Sequence, residues 1–439
     1  MSEKLIKISR GFVHCLVAED FSRATTYFDA TMKSALPPQK LAAVWHQLVA
    51  SYGPADKRSA LEPREIQEVN GHTVIILPFS FANTKVDLQV TVSKQDQISG
   101  FFIRPSSTTD DAKQYKEATY TQKGKFKDES VKIGEGPWQL DGRLSLPSGK
   151  GPFPCVILLH GSGPHDKDET IGPNKPFRDL AHGLASNGIA VLCYEKRTKQ
   201  HQAKLSAEAL RSFTVKEETL DDALAAHNLL KRRHDIDGKN IFVLGHSLGG
   251  MLIPRLAKLD ADLRGFICMA GSNGRLDEAI VRQTEYIASL SPKNSTAQEG
   301  AKLAEIKKEA AKISALKKSD IESGGMILGA SPAYWLDLQE HDPLVDIRDI
   351  DRPILFLQGG RDYQVTTDGD FKRWQKTIAE SGKDNLCQFK LYPALNHLFI
   401  KGTGPCTPQE YFDKPGHIDE QVISDIAAWI KKRLDSSAR

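Results

Sequence analysis

The stretch Ile241–Leu259, IFVLGHSLGGMLIPRLAKL, decides how the rest of the chain is read. IFVLGH is an apolar run of strand character, and LGGMLIPRLAKL behind it has the pattern of a helix. Between them stands Gly245-His246-Ser247-Leu248-Gly249, a G-x-S-x-G. Glycines two before and two after the serine keep side chains out of a tight turn that would hold Ser247 in a strained backbone conformation. The helix beyond offers amide N–H groups and the positive end of its dipole to any negative charge developing there. The five residues alone say little, since chance supplies them, and a serine ahead of a helix can simply cap it. The strand before and the helix after are what give them weight.

Outward from this turn the chain alternates strand and helix from about residue 131. Strands are predicted at Val131–Ile133, Gln139–Leu146, Cys155–His160, Ala190–Tyr194, Ile241–Gly245, Gly265–Ala270, Ile354–Gln358 and Gln388–Pro393. CVILLH, NIFVLGH and PILFLQG are nearly unbroken apolar runs, as parallel strands covered by helices on both faces must be. The expected class is α/β, a mostly parallel doubly wound sheet with its site at the strand carboxyl ends. About eighty residues, roughly 272–350, interrupt the alternation. They are too many for a bare loop, and they are rich in Ala, Glu, Lys and Leu, so a helical cap inserted into the sheet domain is expected.

Residues 1–105 read differently. Apolar residues recur at helical spacing in Leu5–Val17, Ala24–Met32 and Leu41–Leu48, with Asp20 as an N-cap and Pro37-Pro38 as a break. Strand-like runs follow at His72–Phe79, Val86–Val92 and Ile98–Ile103, giving a small α+β accessory domain. Residues 106–130 read as a polar linker turning into strand near its end, and 131–439 as the catalytic domain. The front domain carries no recognisable set of reactive residues. A lid, a surface for pairing as a homodimer, and a small-molecule binder all stay open for it.

Composition narrows the function classes. Lys+Arg 59 against Asp+Glu 56 leaves +3 over 439 residues, too even for a nucleic-acid footprint or a polybasic membrane arm. Hydrophobic residues at 40% and charged at 26% are those of a globular protein. No apolar run approaches the roughly 20 residues that span a bilayer. Cys15, Cys155, Cys193, Cys268, Cys387 and Cys406 form no C-x-x-C pair, and several sit in apolar runs, so no disulfide and no zinc site are expected. The cytoplasm is the simplest location, although a secreted chain stripped of its leader would read the same.

A serine hydroxyl becomes a nucleophile only when a base takes its proton, and that base needs a carboxylate to orient it. Of 13 histidines, His397 is best placed, in the turn after the last strand. Asp362 leaves the strand PILFLQG in the turn GGRDYQV, and Asp342 in the cap is the runner-up. Ser247, Asp362, His397 is the chain order this fold requires. The oxyanion of acyl transfer needs two N–H donors. The Leu248 amide is one, and the Ser162 amide in His160-Gly161-Ser162-Gly163 is the other, with Gly161 as fallback. His165, Asp166 and Asp168 read as a solvated polar loop and not as a metal site. Arg197 reads as a salt-bridge residue, or else as a brace for the oxyanion loop or a partner for a substrate carboxylate. Tyr334 and Trp335 in the cap are candidates for a pocket wall or for buried packing.

HGSG, GHSLGG, GGRDYQV and LNHLF, in that order, resemble the α/β-hydrolase family of serine esterases over about residues 130–435. The stretch GSGPHDKDETIGPNKPFRDLAHGLASNGIAVLCYEKRTK is similar to a bacterial subfamily related to dienelactone hydrolases and feruloyl-type esterases. There, a small domain of unknown function often precedes the hydrolase, and DFSRATTYFDATMKSALPPQKLAAVWHQL resembles it. The resemblance implies Ser247 as nucleophile, His397 as base, Asp362 as its orienter, no cofactor and a small-molecule ester as substrate. YEKRT departs from relatives, which tend to have Asp before the Lys-Arg. Dienelactone hydrolases proper use cysteine, and the serine here favours simple short-chain or aryl esters. Thioesterase, acyltransferase and serine peptidase chemistry use the same triad and are the alternatives.

Overall fold

The computed structural model describes residues 2–57, 59, 61–69, 72–82, 85–105, 115–290, 297–323, 325–413 and 415–435. They fall into two compact units, Met1–Gln114 and Tyr115–Arg439.

In the first unit, helices α1 (Ser2–Val17) and α2 (Pro38–Tyr52) accompany an antiparallel sheet of β1 (Glu65–Val69), β2 (His72–Ser80), β3 (Lys85–Val92) and β4 (Ile98–Pro105), paired in that order. Phe12, Leu16, Trp45, Leu77, Phe79 and Leu88 are among the residues of its core. Two local expectations hold: the Asp20 side chain accepts from the Arg23 amide, and Pro38 begins α2. The helix expected over 24–32 is broken. Phe28 is extended and bridges to Ile98, and Asp29 caps a new short helix by accepting from the Met32 amide. The apolar spacing continues across this point because Phe28 is a core residue, whichever backbone carries it there.

The second unit holds an eight-stranded sheet in the order β12-β11-β10-β9-β7-β8-β6-β5. These are β5 (Phe126–Ile133), β6 (Leu140–Pro147), β7 (Phe153–Leu159), β8 (Ala190–Tyr194), β9 (Ile236–His246), β10 (Gly265–Met269), β11 (Ile354–Gly359) and β12 (Cys387–Tyr392). From β8 to β12 all neighbours run parallel, and β6 and β5 add an antiparallel edge. Two large cores lie on the sheet, one holding Ile157, Val243, Leu252 and Phe356, the other Val156, Leu244, Ile267 and Leu355. Successive residues of one strand enter opposite cores, which is why the central strands are apolar throughout. This is the α/β-hydrolase fold.

The linker expected over 106–130 is too long. Its first part lies outside the described residues, but from Tyr115 onward the chain is bound into the second unit. Tyr115 donates to Asp179, Glu117 meets His182 and Arg178, and β5 starts at Phe126. Polar residues that read as linker are here partners of buried charges. The insertion between β10 and β11 is helical, with α3 (Leu276–Ser289), α4 (Ala297–Ser314) and α5 (Pro332–Gln339) as its main elements. No helix among the described residues is long and apolar enough to cross a membrane.

Candidate active site

β9 runs straight into the turn read from the sequence. Ser247 has φ 53° and ψ −113°, a left-handed conformation that costs a side-chain-bearing residue of order 1–3 kcal/mol. The helix Leu248–Met251 begins at the next residue. The turn is too tight for anything but its glycines: a Cβ on Gly245 would lie 2.2 Å from the Gly249 carbonyl oxygen, and one on Gly249 would lie 2.4 Å from that of Leu159. The Ser247 amide donates to the Met269 carbonyl at 3.0 Å, tying the apex to β10. Its hydroxyl makes no capping bond to the helix it precedes, so the modest role of a helix cap is not the one it plays.

His397, in the turn after β12, and Asp362, after β11, meet at 2.7 Å between Nδ1 and Oδ2. A carboxylate only accepts, so Nδ1 carries a proton, and in the neutral ring the lone pair is on Nε2. Asp362 is itself held: Oδ1 accepts from the amides of Gln364 (2.8 Å) and Val365 (3.0 Å), and Oδ2 from Gln358 Nε2 (3.2 Å). His246, next to Ser247 in the turn, meets His397. Its Nε2 donates to the His397 carbonyl at 3.0 Å, and the two rings lie 4.7 Å apart. Asp342, the alternative acid, caps a short cap helix through the Leu344 amide at 2.8 Å.

The loop after β7 packs against the same turn, with the Cβ position of Gly161 only 3.3 Å from Ser247 Cβ. The Gly161 amide is taken, since it donates to Glu169 Oε1 at 2.8 Å. The Ser162 and Leu248 amides have no acceptor among the described residues. The following stretch, expected to be a solvated polar loop, is built into the protein. Asp168 pairs with Arg143 and Lys175, Asp166 accepts from Thr170, and Glu169 is 1% exposed. Glu169 Oε2 lies 3.0 Å from His246 Nδ1. Burial raises the Glu169 carboxyl, but the charge and hydrogen bonding of His246, together with the charges of His165 and His160, bring it down to about 2. Burial pushes His246 down, but Glu169, the His397 carbonyl and Asp362 together leave it raised above its ordinary value. His246 Nδ1 and Glu169 Oε2 approach as a buried ion pair, while Nε2 bonds to the His397 carbonyl. His160, buried with Nε2 on the Asp166 carbonyl, is lowered to about 3 and stays neutral.

Arg197 is engaged with Asp222, and it is its neighbour Lys196 that reaches the loop after β7, donating to the Gly161 carbonyl at 2.8 Å. Sequence reasoning overlooked both Glu169 and Lys196. The only signal was a charged residue next to an apolar strand or a glycine turn, and surface residues look the same. Tyr334 and Trp335, on α5 of the cap, are turned into the protein: the Tyr334 hydroxyl donates to Glu218 Oε2 at 2.7 Å and Trp335 Nε1 to the Ile327 carbonyl at 2.8 Å. Tyr286 of α3 stacks on Tyr363, next to Asp362, at 4.9 Å. Among the described residues no group of three or more His, Cys, Asp or Glu is arranged to hold a metal.

Fold and site together define an α/β-hydrolase, a hydrolytic enzyme of the serine type. The chain belongs to the family described as serine aminopeptidase, S33, whose model matches residues 152–402, and residues 9–101 match a family described as a protein of unknown function, DUF3887. It is 34% identical over 430 residues to esterase EstD of Thermotoga maritima, covering 96% of this chain and 94% of that one. Among solved structures, Est1E from Butyrivibrio proteoclasticus matches at TM-score 0.43 and 16% identity, over 70% of this chain and 99% of that one. The Pyrococcus furiosus esterase Pf2001 matches at TM-score 0.43 and 16% identity, over 70% and 91%. The resemblance drawn from HGSG, GHSLGG, GGRDYQV and LNHLF, including the small domain ahead of the hydrolase, is borne out.

Proposed function

We propose that this enzyme hydrolyses carboxylic esters through an acyl-enzyme on Ser247. His397 Nε2 takes the hydroxyl proton as the oxygen attacks the ester carbonyl, while Asp362 keeps the imidazole in the right tautomer and stabilises its charged form. The Ser162 and Leu248 amides hold the tetrahedral oxyanion. His397 then protonates the leaving alcohol, and water repeats the sequence to free the acid. The observation that carries this reading is the 2.7 Å bond from His397 Nδ1 to Asp362, with the His397 carbonyl held by His246, the residue before a strained serine whose hydroxyl does not cap its helix. The curated relative's name, an esterase, supports the ester as substrate.

Ser247→Ala should lower kcat on p-nitrophenyl butyrate by at least about 10⁴-fold, with wild type labelled at Ser247 by a fluorophosphonate. Full activity in the variant would end the proposal. The family description favours a second reading, an aminopeptidase. Turnover of aminoacyl p-nitroanilides faster than of esters would favour it, and acyl-CoA turnover would point to a thioesterase. Short-chain and aryl esters, which the family resemblance implies, are the substrates to rank first, by a panel graded in acyl length and aromaticity.

A further inference from the structure

Lys196 follows β8, and its side chain is 2% exposed. Taking an ammonium group out of water is costly unless its charge and donors are met, so cores rarely hold one without a reason. Here the amide of Lys196 donates to the His165 carbonyl at 3.0 Å, and Nζ points back to donate to the Gly161 carbonyl at 2.8 Å. Its counter-charge is Glu218, with Oε2 at 3.4 Å. Glu218 is held in turn by Thr198 Oγ1 (3.0 Å) and by the hydroxyl of Tyr334 in the cap (2.7 Å).

The carbonyl that Lys196 grips shares one planar trans peptide unit with the Ser162 N–H, so oxygen and hydrogen point in opposite directions. Fixing the oxygen on the buried side therefore aims the N–H on the other. A cation on the oxygen also draws electron density from the amide and makes its N–H a stronger donor. The preceding peptide is fixed independently, since the Gly161 N–H donates to Glu169 at 2.8 Å. Two buried, oppositely charged side chains thus clamp successive peptides of one glycine.

We propose that Lys196 is a positioning residue of the oxyanion hole, which orients and polarises the Gly161–Ser162 peptide and is anchored to the cap through Glu218 and Tyr334. This rests on the reading of Ser247 as nucleophile and of the Ser162 amide as oxyanion donor. The geometry engages Lys196 with the protein and not with substrate, so its effect should appear in the transition state alone.

The test uses the full chain and compares wild type with Lys196→Met, Lys196→Arg and Ser247→Ala on p-nitrophenyl butyrate. It also measures inhibition by a trifluoromethyl ketone of the same acyl length, which forms a tetrahedral adduct. Lys196→Met should lose about 10²–10³-fold in kcat, as removal of an oxyanion donor does. KM should stay within about threefold and ketone affinity should fall in step with kcat/KM, while Lys196→Arg recovers part of the loss. A folded Lys196→Met with kcat near wild type overturns the inference, as does a loss of kcat that leaves ketone affinity unchanged. If Lys196→Met does not fold, Glu218→Gln takes its place, with kcat expected to drop about tenfold at constant KM. A folded Glu218→Gln with unchanged kcat is equally decisive against. An active Ser247→Ala would instead condemn the reading of the site. An inactive one beside a fully active Lys196→Met would condemn only the role of Lys196.

Discussion

Asp362 illustrates how much of the site's chemistry rests on single groups. Its Oδ2 accepts the hydrogen bond from His397 Nδ1 while two backbone amides hold Oδ1. Asp362→Asn keeps the size but can present an N–H to Nδ1, which favours the tautomer with Nε2 protonated and unable to act as base. We expect kcat to fall about 10⁴-fold with KM little changed, and an effect under tenfold would remove Asp362 from its assigned role. Glu169 and His246 make a second prediction, in pH. Glu169, held at about 2 against an ordinary 4.5, contributes stability above 4.5 that is lost as pH falls toward 2. His246, raised above its ordinary 6.5, contributes stability below 6.5 that is lost as pH rises through its folded value. The pair therefore stabilises most between about 4.5 and 6.5. Urea midpoints measured across pH should show this window, and Glu169→Gln should flatten both flanks. An unchanged profile in that variant would show that the pair is not their source.

At the scale of elements, the turn joining β9 to its helix is the most tightly specified piece of backbone in the site. Gly249→Ala would drive a methyl group into the Leu159 carbonyl, and Gly245→Ala would drive one into the backbone of Gly249. Neither obstacle is the end of a flexible side chain, so relief requires moving a central strand. We expect each substitution to cost about 3 kcal/mol or more, read by urea denaturation; a loss under about 1 kcal/mol would mean the turn is softer than its geometry implies. This element was legible in the sequence because its requirements are local: an apolar strand, two glycines and a helical pattern within nineteen residues. β1, by contrast, escaped notice. Its sequence, EIQEV, lacks the apolar alternation of a half-buried strand, and it forms only because β2 offers an edge to pair with. Helix spacing over 24–32 misled in the other direction, since an apolar residue can keep its place in the core after the helix under it has ended.

For the whole molecule, the two units each carry their own hydrophobic core, and every residue assigned to catalysis lies in the second. A chain starting at Tyr115 should therefore turn over p-nitrophenyl butyrate with kcat within about threefold of the full chain. A folded fragment without activity would mean that the first unit supplies part of the chemistry.

The sequence by itself determined the alternation of strands and helices, the strained turn at Ser247, and the chain order that sets Asp362 and His397 at the ends of later strands. Periodicity, glycine placement and strand direction are properties of neighbouring residues or of topology, and a linear reading reaches them. Only the tertiary structure decided that Glu169 and Lys196 lie buried on the two sides of Gly161, and that Tyr334 serves Glu218 inside the protein. The physical reason is that the cost of a buried charge depends on what surrounds it in space. Partners that lie 8, 35 and 116 residues away along the chain leave no local pattern to read.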